Sequence, residues 1–565
     1  MPATSLTAAI VPCTLGAIAF AAPPLFIDAT DSLGLGGVSC ARVCFADLNN
    51  DGRPDAILDR RLIYINVPNE TARVAFELLP DTGLPEPEQR DLLVFADLDG
   101  DSILDAITTR WKDETTEADG TAPDRPNGWM RGDGSGRFGS LKPLPFPTRP
   151  TAAIAVGDAN LDGRLDLYLG NWYTRYGESL EAAPNDLILS TPSGYARSKL
   201  PTDGIPFTED EDAGGRPTYG VRLVDLLGDG RPALLDLNYG RRANRILRPT
   251  ARGFEDQAAE LGLDGDDQRD GVYPDWVRAK GRENEQRFRA NGNTFDASVA
   301  DIDNDGDLDL FVSTIRHAWA GESSDISRFL VQENGHFVSP PRIAPPRDRE
   351  PEDRWNFGDL YCQLADLNLD GLPDLLLSSG DYPDDQRLRL FVQRPDGTFA
   401  DETSSAGIDH DGSQQLSIAD VDQDGDLDIL VGQTFFRYTK ELRAGREPRV
   451  RLLLNQAIEQ GRGHALAIKL IGDTDDVNTA AIGAVVRVTA DLDGDPTTPS
   501  VTQTQLLDPI GGHQGKQNTF ALHFGIGAAT QAERVEITWP DVSTTKTVLT
   551  DVPAGLLEAR SSAGK

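Results

Sequence analysis

DIDNDGDLD, residues 301 to 309, sets carboxylates at positions 1, 3, 5, 7 and 9 of a nine-residue stretch, with glycine at position 6. Positions 1, 3, 5 and 9 are spaced so that a short loop can wrap a hard cation in oxygen ligands, and the glycine supplies the left-handed turn. The pattern recurs as DLNNDGRPD (47–55), DLDGDSILD (97–105), DANLDGRLD (158–166), DLLGDGRPA (225–233), DLNLDGLPD (366–374) and DVDQDGDLD (420–428). Each copy lies between short apolar runs, such as VCFA, LLVFA or LSIA before it and DAILD, DLFVS or DILVG after it, which is the pattern of a β-hairpin with the loop at its tip. Two further strand-like runs follow most hairpins, so one repeat holds four strands. Four-stranded repeats at this spacing predict an all-β fold, a seven-bladed β-propeller over residues 24–456. LFIDATDSLGL (25–35) matches the fourth strands GFEDQAAELGL (253–263) and TFADETSSAGI (398–408), yet it precedes the first blade. Residues 25–30 are therefore expected to close blade seven and remove an open edge.

Composition limits what such a scaffold can do. With 565 residues the chain is long enough for more than one domain, and its formal charge of −37 excludes nucleic acid and anionic membranes as partners. Divalent cations are the natural counter-ions. Residues 5–22 form an apolar run ending in small residues, so 1–22 reads as a signal peptide, although no Lys or Arg occurs in the first dozen positions. The expected location is extracellular or periplasmic. No other stretch is long and apolar enough for a transmembrane helix. Of four cysteines, Cys13 falls in the leader, and Cys40, Cys44 and Cys362 leave the choice between a bridge and buried thiols open.

The D-x-[DN]-x-D-G-x-x-D hairpins resemble the FG-GAP repeats of integrin α-subunit propellers. AIGAVVRV (481–488), GGHQGKQ (511–517), LHFGIG (522–527) and VEITWPD (535–541) together resemble the ASPIC/UnbV domain of cartilage acidic protein and its bacterial relatives. GGHQGKQ departs from the family pattern in lacking an aromatic residue and a serine. The C-terminal region, 457–560, alternates apolar and polar residues and is expected to form a small β-sandwich-like domain packed beside the propeller.

Six loops are expected to bind about six Ca2+ ions. The candidate ligands are Asp47, Asn49, Asp51, Arg53 and Asp55; Asp97, Asp99, Asp101, Ile103 and Asp105; Asp158, Asn160, Asp162, Arg164 and Asp166; Asp301, Asp303, Asp305, Asp307 and Asp309; Asp366, Asn368, Asp370, Leu372 and Asp374; and Asp420, Asp422, Asp424, Asp426 and Asp428. Position 7 contributes its carbonyl and the others their side chains. The second loop, with Gly100 at position 4 and Ser102 at position 6, is expected to have a shifted or strained turn. The fourth has Leu227 and Ala233 at positions 3 and 9, keeps only Asp225 and Asp229, and is expected to stay empty. DLDGDPTTP (491–499) has proline in place of the glycine and reads as a plain turn.

If these loops join first and second strands, the long insertions gather at the opposite end. There Trp172, Tyr173, Tyr176, Tyr273, Trp276, Trp319, Trp355, Phe435 and Tyr438 are candidates for a surface that recognises an extracellular protein or carbohydrate, or else they pack the insertions down. Arg131-Gly132-Asp133 ends a predicted strand and reads as chance. The six histidines show no metal-ligand spacing, and no nucleophile elbow, phosphate loop or dinucleotide fingerprint is present. Adhesion or recognition without catalysis is the expected function. A calcium-dependent enzyme on polysaccharide or phosphoester substrates and an assembly scaffold for exported proteins are the alternatives.

Overall fold

Every loop sequence above sits at the tip of a hairpin. The computed structural model describes residues 25–561 apart from 71, 87–90, 112–125, 180, 204–213, 267–272, 274, 280–291, 317–323, 347–356, 380–385 and 474–475, so the expected leader at 1–22 lies outside the described residues. The fold is all-β. Group one comprises Val43–Ala46, Asp55–Leu58, Leu62–Asn69 and Arg73–Leu78, paired antiparallel in chain order. The same meander recurs with first strands at Leu92–Ala96, Thr151–Gly157, Thr218–Val224, Asn293–Ala300, Phe357–Ala365 and Ser413–Ala419, which begin groups two to seven. In group seven the outer strand is Ile27–Asp28, which pairs with Arg451–Leu454 across more than 400 residues of chain (Ile27↔Leu454).

Second strands such as Asp166–Asn171, Asp374–Ser379 and Asp428–Gln433 are buried along their whole length. Such continuous burial, without alternation, requires cover on both faces of a sheet. The cover comes from neighbouring groups. Cys44 and Ala46 of group one pack with Phe95 and Ala106 of group two, Ala300 and Phe311 of group five with Cys362 and Leu375 of group six, and Ala419 and Leu430 of group seven with Phe45 and Leu58 of group one. Groups five and six are not separate sheets as expected. Ile315 and Arg316 pair with Gly358 and Phe357, which joins the two into one eight-stranded sheet. The close approach depends on Gly358, where a Cβ would fall 2.0 Å from the Thr314 carbonyl oxygen.

The C-terminal region is a pair of sheets around one core. Ala521–Gly527, His464–Ile471 and Gly555–Arg560 form the first, and Val501–Leu506, Val485–Ala490, Gln531–Thr538 and Lys546–Pro553 the second. Leu466, Ile468, Phe524, Val486, Val488 and Ile537 fill the space between. This domain does not lie beside the repeats. It sits on the end that carries the acidic loops, and its segment 508–518 runs inward along the first strands of groups two to seven. Gln517 exchanges both side-chain hydrogen bonds with the Phe95 backbone, Ile510 packs with Ile154, and His513 pairs with Gly220. Lys516 donates to Asp296 Oδ2 at 2.9 Å and to the Cys362 carbonyl, while Ser417 donates to the Gln517 carbonyl at 2.7 Å. Gly512, at φ 86°, passes so close to Asp296 that a Cβ would meet its Oδ1 at 1.9 Å. Cys40, Cys44 and Cys362 are free, buried thiols. Among the described residues no helix is long and apolar enough to cross a membrane.

Lys516 and Asp296 are both buried, and an ion pair in that setting strongly disfavours the loss of one partner. Lys516→Met is therefore expected to cost about 3–5 kcal/mol in urea denaturation. The double variant Lys516→Met with Asp296→Asn should recover a good part of it, and additive losses would show that the pair is not coupled.

Candidate metal centres

One scheme of backbone hydrogen bonds builds the loops. The position 1 carboxylate accepts the N–H of position 5 on one oxygen and of position 6 on the other: at Asp47 from Asp51 and Gly52, both at 3.0 Å, and at Asp301 from Asp305 and Gly306, again at 3.0 Å. The position 5 carboxylate accepts the N–H of position 7, so that Arg53, Ile103, Arg164, Asp307, Leu372 and Asp426 each donate to the aspartate two residues earlier. The position 9 carboxylate accepts the N–H of position 2 and, on its other oxygen, an N–H from the third strand. Donors to this second oxygen are Asn66, Gly132, Ser190, Gln332, Gln393 and Asn455, which reach Asp55, Asp105, Asp166, Asp309, Asp374 and Asp428. These aspartates tie each loop to its sheet.

Two residues per loop are left-handed. Position 6 was expected. Position 4 was not, and it holds Asn50, Gly100, Leu161, Gly228, Asn304, Leu369 and Gln423 at φ between 56° and 78°. Loop two is not shifted: Ser102 takes the glycine conformation at φ 66°, and Gly100, Asp101 and Ser102 all donate to Asp97. Gly100 and Ser102 thus exchange the roles that Asn and Gly hold in loop one.

Three loops bring three carboxylates within 4.8 Å of one another: Asp97, Asp99 and Asp101; Asp301, Asp303 and Asp309; and Asp420, Asp422 and Asp428. Loops one, three and six have Asn49, Asn160 and Asn368 at position 3, each donating to the position 5 aspartate at 3.0 Å. In loop seven the Asp422 Oδ1 is buried and has no hydrogen-bond partner. A set of hard oxygens with one left unsatisfied fits a hard divalent cation. Loop four is different. Arg231 and Arg248 both pair with Asp229, and two guanidinium groups supply the positive charge there. Arg131, of the Arg-Gly-Asp tripeptide, is likewise spent on loop two, 2.9 Å from Asp99 and 2.5 Å from Asp101.

Burial moves these carboxyls far from their ordinary range. It pushes Asp55 and Asp105 up to about 7 and Asp166 and Asp309 up to about 8, with hydrogen bonds from the backbone opposing the shift. Asp374 and Asp428 are raised well above the ordinary carboxylate range for the same reason. The C-terminal domain adds to this burial. Thr479 donates to Asp97 Oδ2 at 2.6 Å, Lys469 lies 3.9 Å from Asp47, Arg487 reaches the Gly306 carbonyl, Gly527 donates to the Leu369 carbonyl and His523 to the Gly425 carbonyl.

The aromatic candidates are distributed unevenly. Trp172 and Tyr173 are buried with Trp111, and the Trp172 ring lies 4.3 Å from that of Tyr219. Tyr219 in turn lies 5.0 Å from the His513 ring, so the cluster reaches the C-terminal segment. Phe435 and Tyr438 are buried, and Tyr438 donates to the Gln386 carbonyl at 2.9 Å. Tyr273 and Trp276 are half-buried. Trp319 and Trp355 lie outside the described residues. Tyr176, 46% exposed, and Phe436, 78% exposed, are the solvent-facing members. His336, His410, His513 and His523 each lie within hydrogen-bond distance of a backbone carbonyl.

Comparison with known proteins agrees with this architecture. Residues 366–431 match the FG-GAP-like repeat family and residues 474–557 the ASPIC and UnbV family. The chain carries both elements, in the order that its motifs indicated. No curated protein matches the sequence. Among solved structures, a likeness is found to the V. cholerae biofilm matrix protein Bap1, with 12% identity, a TM-score of 0.26, and coverage of 96% of this chain and 83% of that one. Another is to the exotype rhamnogalacturonan lyase YesX, with 11% identity, a TM-score of 0.26 and coverage of 85% and 74%. A third is to an exo-beta-1,3-galactanase from Phanerochaete chrysosporium, with 10% identity, a TM-score of 0.26 and coverage of 87% and 99%. At such scores these likenesses carry no argument.

A carboxyl whose pKa is raised by folding holds a proton that the unfolded chain has released. Without metal, the contribution of these carboxyls to stability is full below about pH 4 and is lost as the pH rises through 7 to 8. Melting in chelator should show this decline across pH 5 to 8.5. A cation would compete with the protons, so Ca2+ added at pH 6.5 should release acid and flatten the profile, measured by pH-stat and by melting temperature. A flat profile in chelator would contradict the assignment.

Proposed function

We propose that the seven groups close into a seven-bladed β-propeller, exported from the cell and held by Ca2+ in six of its loops, and that the assembly acts in adhesion or in recognition of a protein or carbohydrate. Closure is supported by the Ile27–Leu454 pairing and by the core that groups seven and one share. Calcium is supported by the repeated oxygen cradles, three of which bring three carboxylates together. Export agrees with the apolar leader and with a net charge of −37, which suits a calcium-rich medium.

The observation that carries the functional reading is the position of the C-terminal domain. It covers the loop end and fills the centre, so a partner would meet the end formed by connections between second and third strands. The exposed aromatics Tyr176 and Phe436 lie in those connections, between Asp166–Asn171 and Asp186–Thr191 and between Asp428–Gln433 and Arg451–Leu454. Exposed aromatic side chains on an acidic body are anchors for association.

Free Ca2+ at about 100 times the dissociation constant stabilises by about 2.7 kcal/mol for each site. Melting temperatures in Ca2+ and in chelator are thus expected to differ by many degrees, and identical curves would sink the calcium reading. A glycan and protein array probed with the intact protein should give a binder that the double variant Tyr176→Ala, Phe436→Ala loses about tenfold or more. Equal binding by the variant would move the recognition surface elsewhere.

A further inference from the structure

Loops five and seven end in the same five residues, DGDLD, yet their position 7 side chains differ completely in environment. Asp307 is exposed, whereas Asp426 is fully buried. The difference comes from the chain that leaves group seven. Residues 456–462 turn back over the loop, and the Ile458 N–H donates to Asp426 Oδ2 at 2.9 Å. That leaves Asp426 Oδ1 buried with no hydrogen-bond partner. A buried carboxylate oxygen with nothing to satisfy it costs free energy unless a cation or a donor reaches it.

The same turn brings in Glu459. One oxygen each from Asp424, Asp426 and Glu459 lies within 4.8 Å of the others, beside the separate group of Asp420, Asp422 and Asp428. From these observations we propose that Asp424, Asp426 and Glu459 form a further Ca2+ site, distinct from the nine-residue loop site and built jointly by the loop and the linker to the C-terminal domain. The proposal rests on the calcium reading of the loops. Its ligands are carboxylate oxygens throughout, the chemistry of a hard divalent cation. Arg73, on the fourth strand of group one, guards the rim: its guanidinium is 3.4 Å from Asp424 and 4.0 Å from Glu459, with more than half of its side chain exposed. It is a competing counter-ion. The site would fasten the linker to the last hairpin, so that the C-terminal domain is held most firmly when the metal is bound.

The test is the Ca2+ stoichiometry of the full chain after equilibrium dialysis, measured by elemental analysis. Glu459→Gln and Asp426→Asn should each lose one equivalent relative to the wild type, while Asp307→Asn, the same substitution in loop five, loses none. Unchanged counts in Glu459→Gln and Asp426→Asn overturn the proposal, and so does an equal loss in Asp307→Asn. Asp303→Ala tests the loop sites separately, because a wild type that binds no Ca2+ fails that reading first. Arg73→Ala removes a guanidinium that also lies 3.9 Å from Asp422 of the neighbouring loop group, and should raise Ca2+ affinity severalfold, a gain that Asp426→Asn should abolish. If affinity does not change in Arg73→Ala, arginine is not competing with metal and the proposal falls, even should Glu459→Gln not fold.

Discussion

Carboxylates removed from water are the constraint on which the rest of the molecule depends. In all loops but the fourth, the position 1 and position 9 aspartates accept at least four backbone N–H groups, donors that the hairpin would otherwise leave open. The geometry is consequently set by hydrogen bonds, and a bound cation would serve charge rather than shape. Loop four makes the distinction visible. Asp225 still accepts the N–H of Asp229 and of Gly230, so the loop keeps its form although its neutralising charge comes from Arg231 and Arg248. Form and charge are separable.

A second domain is placed over this charged end, and the two share atoms. Asp97 Oδ2, which accepts the Ser102 N–H, also accepts the Thr479 hydroxyl. The carbonyl of Gly425, at a loop tip, receives His523. Disturbing a loop therefore disturbs the interface, which gives the loops a role beyond stapling single hairpins. The interior contacts act in the same direction. Segment 508–518 holds five first strands through one lysine, one glutamine, one asparagine and a short pairing of strands, and that of group three through Ile510, so most groups around it are linked by polar bonds as well as by their apolar cores.

The repeat was legible because its signal is local and periodic: nine residues fix the loop, and the apolar runs on either side fix the hairpin. What escaped depends on distant partners. GGHQGKQ looks like a surface turn, rich in glycine and polar groups, and nothing near it in sequence indicates that Gln517 satisfies Phe95, 422 residues away. Buried polar residues in such a segment read as exposed ones until their partners are known. Trp172 and Tyr438 show the converse. An aromatic residue in an insertion has the same composition whether it faces solvent or covers a sheet, and only its neighbours decide. Leu161 and Leu369, at positive φ, carry no local sign at all, since leucine is a poor left-handed residue that the surrounding hydrogen bonds impose.

The C-terminal segment also buries an aromatic cluster. Entering from the loop end, the C-terminal segment reaches His513 and Gln514, and Tyr361 donates to Gln514 at 2.6 Å. His513 is in turn packed against Tyr219, Phe295 and Tyr361. Burial among these rings holds the imidazole well below its usual pKa, and its Nδ1 meets the Tyr219 carbonyl. Segment 508–518 is a joint between the first strands and the C-terminal domain.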